Sequence, residues 1–145
     1  MKRRKRNTKK KHPKDHRFKF RGRYERKINN GLIFLPKIYV TYLNGRIINL
    51  ITAKRGILIL IPGDKSLKGV IEEKIRKLKS IQPEIQFSYL TIVRLKRENR
   101  LYIPSNIRKS VGLNTHEVIV VGCGNHIEIW DRNAWEREMR KTDGE

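Results

Sequence analysis

The chemistry within reach of this chain is carried by cationic side chains. Arg94, Lys96, Arg97 and Arg100 crowd the short stretch RLKRENR, which links the apolar runs YLTIVRL (89–95) and RLYIP (100–104). An arginine on such a turn can meet a guanine edge or a phosphate with two parallel hydrogen bonds. A second concentration comes at the start: Lys2, Arg3, Arg4, Lys5, Arg6, Lys9, Lys10, Lys11, Lys14 and Arg17 in MKRRKRNTKKKHPKDHR, followed by Arg21 and Arg23. Cations repeated along such a segment neutralise phosphates and release counterions, which gives affinity without sequence choice. The blander readings are a solvated turn for the first cluster and a localisation run for the second.

Whole-chain charge points the same way. Lys and Arg number 35 against 14 Asp and Glu over 145 residues, a formal charge of +21. Residues 1–27 hold 15 of the cations and 2 of the acids, which leaves a milder body behind a strongly basic leader. A field of this size favours polyanions. Apolar runs are all short, so no membrane span or secretory signal is expected, and a cytoplasmic, nucleoid-associated location follows. One cysteine, Cys123, cannot form an internal disulfide, and His12, His16, His116 and His126 read as scattered, so no structural metal is expected.

Motifs that would imply catalysis do not survive inspection. ILIPGDKS (59–66) has a phosphate-loop flavour, but Asp64 stands where glycine must precede the lysine and the upstream glycine is missing. Gly122 and Gly124 lie between two strand patterns and suit a tight hairpin rather than a dinucleotide site. Cys123 lacks an evident partner base, and Trp130 and Trp135 read as core or subunit-interface anchors. Phe18, Phe20 and Tyr24 alternate with Lys19, Arg21 and Arg23, an arrangement open to base stacking, although core packing is the simpler reading. No enzyme activity, catalytic residue or cofactor is expected.

The elements that must hold the cationic turn are mostly strands. FKFRGRYERKI (18–28) alternates with period 2, and Asn29, Asn30 and Gly31 then turn the chain into LIFLP (32–36), which reads as a β-hairpin. RIINLIT (46–52), the turn AKRG and ILILIP (57–62) read as a second hairpin. Asp64 or Ser66 can cap a helix in which Leu67, Val70, Ile71, Ile75 and Leu78 form one apolar stripe, ended by Gln82 and Pro83. The pattern then restarts with strands at 89–95 and 100–104, a short helix at 105–113, strands at 117–121 and 126–130, and a helix around 133–140. GLIFLPKIYV (31–40) parallels NRLYIPSNIR (99–108), and ILIL (57–60) parallels IEIW (127–130), so the chain is a duplication of about 70 residues.

On those residues a family resemblance can be stated. RLYIPSNIRKSVGLNTHEVIVVGCGNHIEIWDRNAWE (100–136) resembles the second repeat of the MraZ proteins, and FRGRYERKINNGLIFLP (20–36) with GILILIP (56–62) is similar to the first. The resemblance implies an α+β, mainly β fold of two tandem AbrB-like, swapped-hairpin repeats forming one pseudo-symmetric unit, while the basic arm before it has almost no apolar residue to bury and is expected to be disordered. The expected divisions are 1–17 for the arm, 18–80 for the first repeat with its connecting helix, and 87–140 for the second. It also implies a ring-shaped homo-oligomer that binds repeated promoter sites in DNA as a transcriptional regulator. The family's D-x-x-x-R turn corresponds here to Lys96, Arg97, Glu98, Asn99 and Arg100, so the arginine is kept and lysine replaces the aspartate. In the first repeat the turn shortens to Asn29, Asn30, Gly31 and Leu32. The alternative reading is a structural RNA-binding protein that has reused the fold, with ribosomal RNA and ribosomal proteins as partners.

Overall fold

The computed structural model describes residues 20–43, 47–52, 55–63, 68–81, 88–95 and 99–143. In chain order they form β1 (Arg23–Lys27), β2 (Leu32–Phe34), α1 (Lys37–Leu43), β3 (Ile47–Thr52), β4 (Ile57–Gly63) and α2 (Lys68–Ile81). The same order repeats as β5 (Ser88–Arg94), β6 (Arg100–Tyr102), α3 (Ser105–Val111), β7 (Glu117–Gly122), β8 (Ile127–Asp131) and α4 (Arg132–Asp143). The class is α+β, mainly β, as the sequence leads one to expect.

Six strands form one antiparallel sheet in the order β1-β7-β8-β4-β3-β5, and β2 pairs with β6 in a separate two-stranded ribbon. Read from either edge, the sheet runs first strand of one repeat, then third and fourth strands of the other. The two halves are therefore interleaved about a pseudo-twofold axis between β4 and β8, where Ile57 faces Trp130 and Leu60 faces Ile127.

This interleaving corrects one expectation. The hairpin read over 18–36 opens: Asn29 and Leu32 exchange both backbone hydrogen bonds at 2.9 Å, but beyond that turn β1 runs to β7 and β2 to β6. A lone two-stranded hairpin buries too little to be stable, whereas exchange gives each strand a place over a shared core. The strand itself is shorter than the 18–28 ladder. Its regular part starts at Arg23, after Gly22, and Phe20 makes only an isolated bridge to Gly124. The other two hairpins, β3 with β4 and β7 with β8, form as read.

Burial follows the strand period. Ile48 and Leu50 of β3, Leu58 and Leu60 of β4, Val118 and Val120 of β7, and Ile127 and Ile129 of β8 all point to one face and are buried. Against that face pack Ile33 and Leu101 from the ribbon, Tyr39 and Leu43 from α1, and Ile107 and Val111 from α3. Each such aliphatic side chain contributes roughly 1.5–3 kcal/mol through removal from water. The inward pairs also fix the internal alignment. Leu58 matches Ile127 and Leu60 matches Ile129, so LILI (58–61) corresponds to IEIW (127–130), one residue on from the match suggested by composition.

Local chemistry explains the helix ends. α3 stops at Gly112, whose φ of 83° lets its N–H reach the Arg108 carbonyl at 3.0 Å while the Leu113 N–H takes the same carbonyl at 2.9 Å. α4 starts from Asp131, whose Oδ2 accepts the Asn133 N–H at 3.2 Å. α1 has no clear sequence signal: Ile38, Val40 and Thr41 are β-branched, and the helix depends on burying Tyr39 and Leu43, four residues apart. Tyr39 also donates its hydroxyl to the Arg21 carbonyl at 2.7 Å and packs edge-on against Phe20 and Tyr24. The proposed caps Asp64 and Ser66 and the stop at Gln82 and Pro83 lie outside the described residues.

Candidate nucleic-acid interface

The ribbon β2–β6 is the part of the molecule that presents the cationic turn. Its middle residues Ile33 and Leu101 face inward and are buried, so Leu32, Phe34, Arg100 and Tyr102 fall on the outer side. Phe34 is 51 % exposed and Tyr102 40 % exposed, unusual for aromatic rings in so small a protein. Arg100 opens β6 opposite Phe34 and is half-buried. The ribbon is clamped at both ends by matched bonds: Leu35 N–H to the Asn99 carbonyl at 2.9 Å, and Ile103 N–H to the Gly31 carbonyl at 2.8 Å.

Those bonds make Gly31 the counterpart of Asn99 and Leu32 the counterpart of Arg100. Asn99 takes φ 55° where Gly31 takes 82°, so both turns use the left-handed region at the same place. Only glycine fits in the first turn, because a Cβ on Gly31 would lie 2.6 Å from Tyr102 Cε1. Strand register pairs Lys27 with Glu117 and Arg94 with Ile47, which makes Lys27 the counterpart of Arg94. From these anchors the first turn is one residue shorter than the second, and its arginine position holds leucine.

The cations named from sequence are placed apart. Lys2, Arg3, Arg4, Lys5, Arg6, Lys9, Lys10, Lys11, Lys14 and Arg17 lie outside the described residues, as do Lys96 and Arg97. Arg94 and Arg100 flank the second turn, at the end of β5 and the start of β6. Arg21 is exposed just before β1. Arg23 alternates to the other face of the sheet, where its guanidinium lies 5.6 Å from the centre of the Trp135 ring, in a pocket of about 340 Å³ lined also by Glu25, Arg132 and Glu136. Trp135 packs edge-on against Trp130, ring centres 5.2 Å apart, so the two tryptophans join α4 to β8. Phe20 is fully buried and belongs to the core, which closes the base-stacking reading for that ring.

Sequence reasoning passed over Arg26. It is the polar exception on the inward side of the β1 ladder, and the structure gives it a bracing role. Its Nε donates to the Phe34 carbonyl at 2.9 Å, Nη1 donates to the Glu25 carbonyl at 3.0 Å, and the guanidinium lies 5.4 Å from the Tyr24 ring centre. It thereby ties the main sheet to the ribbon. Phe34 and Tyr102 were also passed over, although the patterns LIF and RLY, each with an apolar centre, carry the alternation that exposes them. On the opposite face, Arg132 approaches Glu25 at 3.5 Å, Glu117 at 3.6 Å and Glu136 at 3.3 Å, and the bond to Glu25 together with these carboxylates holds its guanidinium charged. That face is a mixed-charge surface rather than a basic one.

At the tip of the β7–β8 hairpin, burial and then the neighbouring Glu128 carboxylate push the Cys123 thiol up to about 12. A thiol in that state is a poor nucleophile. Glu128 itself is held below the usual carboxylate range, first by its hydrogen bond with His126. Among the described residues no helix is long and apolar enough to cross a membrane.

A duplicated swapped-hairpin β unit with a basic turn at one end of an exposed two-stranded ribbon defines a class of small β proteins built from intertwined repeats. Residues 87–144, which comprise the second repeat and its closing helix, match the family described as MraZ protein, putative antitoxin-like. Over those residues the chain is similar to the MraZ family.

Proposed function

We propose that this protein binds DNA as a transcriptional regulator, with repeat units at 18–80 and 87–140 and a basic leader at 1–17. Arg100 and its neighbours Arg94, Lys96 and Arg97 contact bases or phosphates at the ribbon end, while Lys2 through Arg17, continued by Arg21, add sequence-independent attraction to the backbone. The observation that carries this reading is that the family match falls on the repeat that retains the turn arginine. The ribbon suits the role physically. The B-DNA major groove admits a two-stranded β-ribbon, and three-residue strands separate the two turns by about 10 Å. Because Leu32 stands where the second turn has Arg100, each chain brings the arginine of that position to DNA once. Assembly of several copies, as in the family at large, then supplies repeated contacts to repeated sites.

The test is a side-by-side titration of the full chain against duplex DNA carrying tandem repeats and against structured RNA, over a range of salt. Tighter binding to the DNA, with a steep linear fall of log K against log salt, is the expected result. Preference for RNA at equal salt, together with co-sedimentation with ribosomes, would replace this reading with the structural RNA-binding one. Absence of affinity for both nucleic acids in dilute buffer would end it.

A further inference from the structure

The β7–β8 hairpin carries a cluster that nucleic-acid binding does not use. Cys123, His126 and Glu128 each offer one ligand atom, and those atoms all lie within 4.8 Å of one another. We propose that this hairpin tip is a binding site for Zn²⁺ or a similar borderline-soft divalent ion, held by Cys123 Sγ, His126 Nε2 and a Glu128 carboxylate oxygen.

The turn geometry brings the donors together. The Cys123 N–H bonds the His126 carbonyl at 2.9 Å, so the two residues close the turn side by side. Glu128 follows His126 by two along the strand and shares its face. Around a tetrahedral ion with bonds of about 2.0–2.3 Å, donor atoms stand roughly 3.3–3.7 Å apart. His126 Nε2 and Glu128 Oε2 are already 3.4 Å apart, so modest rotation of the Cys123 side chain completes the set.

The surroundings orient the donors as metal sites require. Asn125 Oδ1 lies 3.2 Å from His126 Nδ1, and a proton on that nitrogen leaves the Nε2 lone pair aimed at the cluster. The Trp130 indole N–H donates to Glu128 Oε1 at 2.9 Å and leaves Oε2 for the ion. An ion takes the place of any proton on Nε2, so the 3.4 Å His126–Glu128 contact is replaced by two bonds to one shared cation. The side chains of His126 and Glu128 are only 30 % and 25 % exposed, which shields an ion while leaving a fourth position for water.

The fold does not demand these residues. Strand register matches His126 with Ile57 and Glu128 with Ile59 in the first repeat, where apolar side chains occupy the same places. Thiolate, imidazole and carboxylate together select zinc, cobalt or copper over magnesium or calcium. Binding is balanced by release of the Cys123 thiol proton to solvent, so thiolate and carboxylate neutralise the two charges of the ion. The bound ion would fasten the tip against Phe20, which exchanges two 2.9 Å backbone bonds with Gly124 where the basic leader meets the body.

The experiment titrates the full chain, purified in chelator and then freed of it, with Co²⁺ and next with Zn²⁺. One Co²⁺ per chain with thiolate-to-cobalt charge-transfer absorption, bleached by one equivalent of Zn²⁺, is the expected result. Cys123→Ser should abolish that band, and Glu128→Gln and His126→Gln should each weaken Zn²⁺ binding about tenfold or more, with the fold checked by circular dichroism. His12→Asn with His16→Asn should leave binding unchanged. Absence of the band in the wild-type chain, its persistence in Cys123→Ser, or loss of binding only in the His12 and His16 variant would overturn the proposal. None of these readouts depends on nucleic acid.

Discussion

The first and second repeats follow one path through space with different side chains at matched places. Inward positions stay apolar in both: Leu58 and Ile127, Leu60 and Ile129, Ile33 and Leu101. Elsewhere the repeats part company. Leu32 stands where the second repeat has Arg100, Gly31 where it has Asn99, Asn49 where it has Ile119, and Pro62 where it has Asp131. Swapping explains the pattern. Each repeat contributes strands to the other's sheet edge, so inward positions are constrained by both copies while turns and helix starts answer to one. The family match at 87–144 accordingly covers the copy whose turn kept its arginine.

The widest divergence in energy concerns the start of the closing helix. Asp131 is 4 % exposed, and its Oδ1 accepts the Asn114 and Thr115 N–H groups at 3.0 and 2.9 Å and the Thr115 hydroxyl at 3.0 Å, while Oδ2 caps α4. Asp131→Ala removes the buried acceptor from several part-buried donors at once and should destabilise the chain by about 3 kcal/mol in denaturant unfolding. Pro62→Ala, at the matched place, should cost less than about 0.5 kcal/mol. Equal costs would mean that the two helix starts are held in the same way after all.

The turns offer a second contrast. Gly31→Ala must place a Cβ at φ 82° and against the Tyr102 ring, so a loss of about 2 kcal/mol is expected. In a Tyr102→Ala background the penalty should fall to about 1 kcal/mol, the backbone share alone, in a double-mutant cycle. A penalty independent of Tyr102 would show that the ring does not confine this turn.

Much of this was legible in the residues, and the parts that were not share a cause. Period-2 alternation located the strands, and the Gly122 to Asn125 turn marked a true hairpin because its closure is local. Periodicity could not tell that β1 leaves β2, since a strand's pattern records which face is buried and not which neighbour lends hydrogen bonds. α1 escaped notice because tertiary burial of Tyr39 and Leu43 overrides the strand propensity of its β-branched residues. At the site, the turn cluster around Arg100 was visible from charge alone. The convergence of Cys123, His126 and Glu128 was not, although the spacing C-x-x-H-x-E on a tight hairpin was the signal available for it. Of the histidines among the described residues, only His126 joins that cluster, with Cys123 and Glu128 as its neighbours.

The smallest expected effect bears most directly on function. If the second turn contacts DNA and the first does not, Arg100→Ala should weaken binding to duplex repeats about tenfold, roughly 1.4 kcal/mol, and Leu32→Ala by less than about twofold. Neither change should lower the melting temperature enough to confuse the result, since both side chains lie on the outer side of the ribbon. The reverse graft is sharper. Leu32→Arg gives the first turn a guanidinium on the same ribbon face as Arg100, about 10 Å away by strand geometry, and should recover part of the affinity lost in Arg100→Ala. Recovery would show that the repeats differ in side chain alone. Failure to recover would assign the difference to the missing turn residue, which leaves the first turn too short to carry any arginine to the groove.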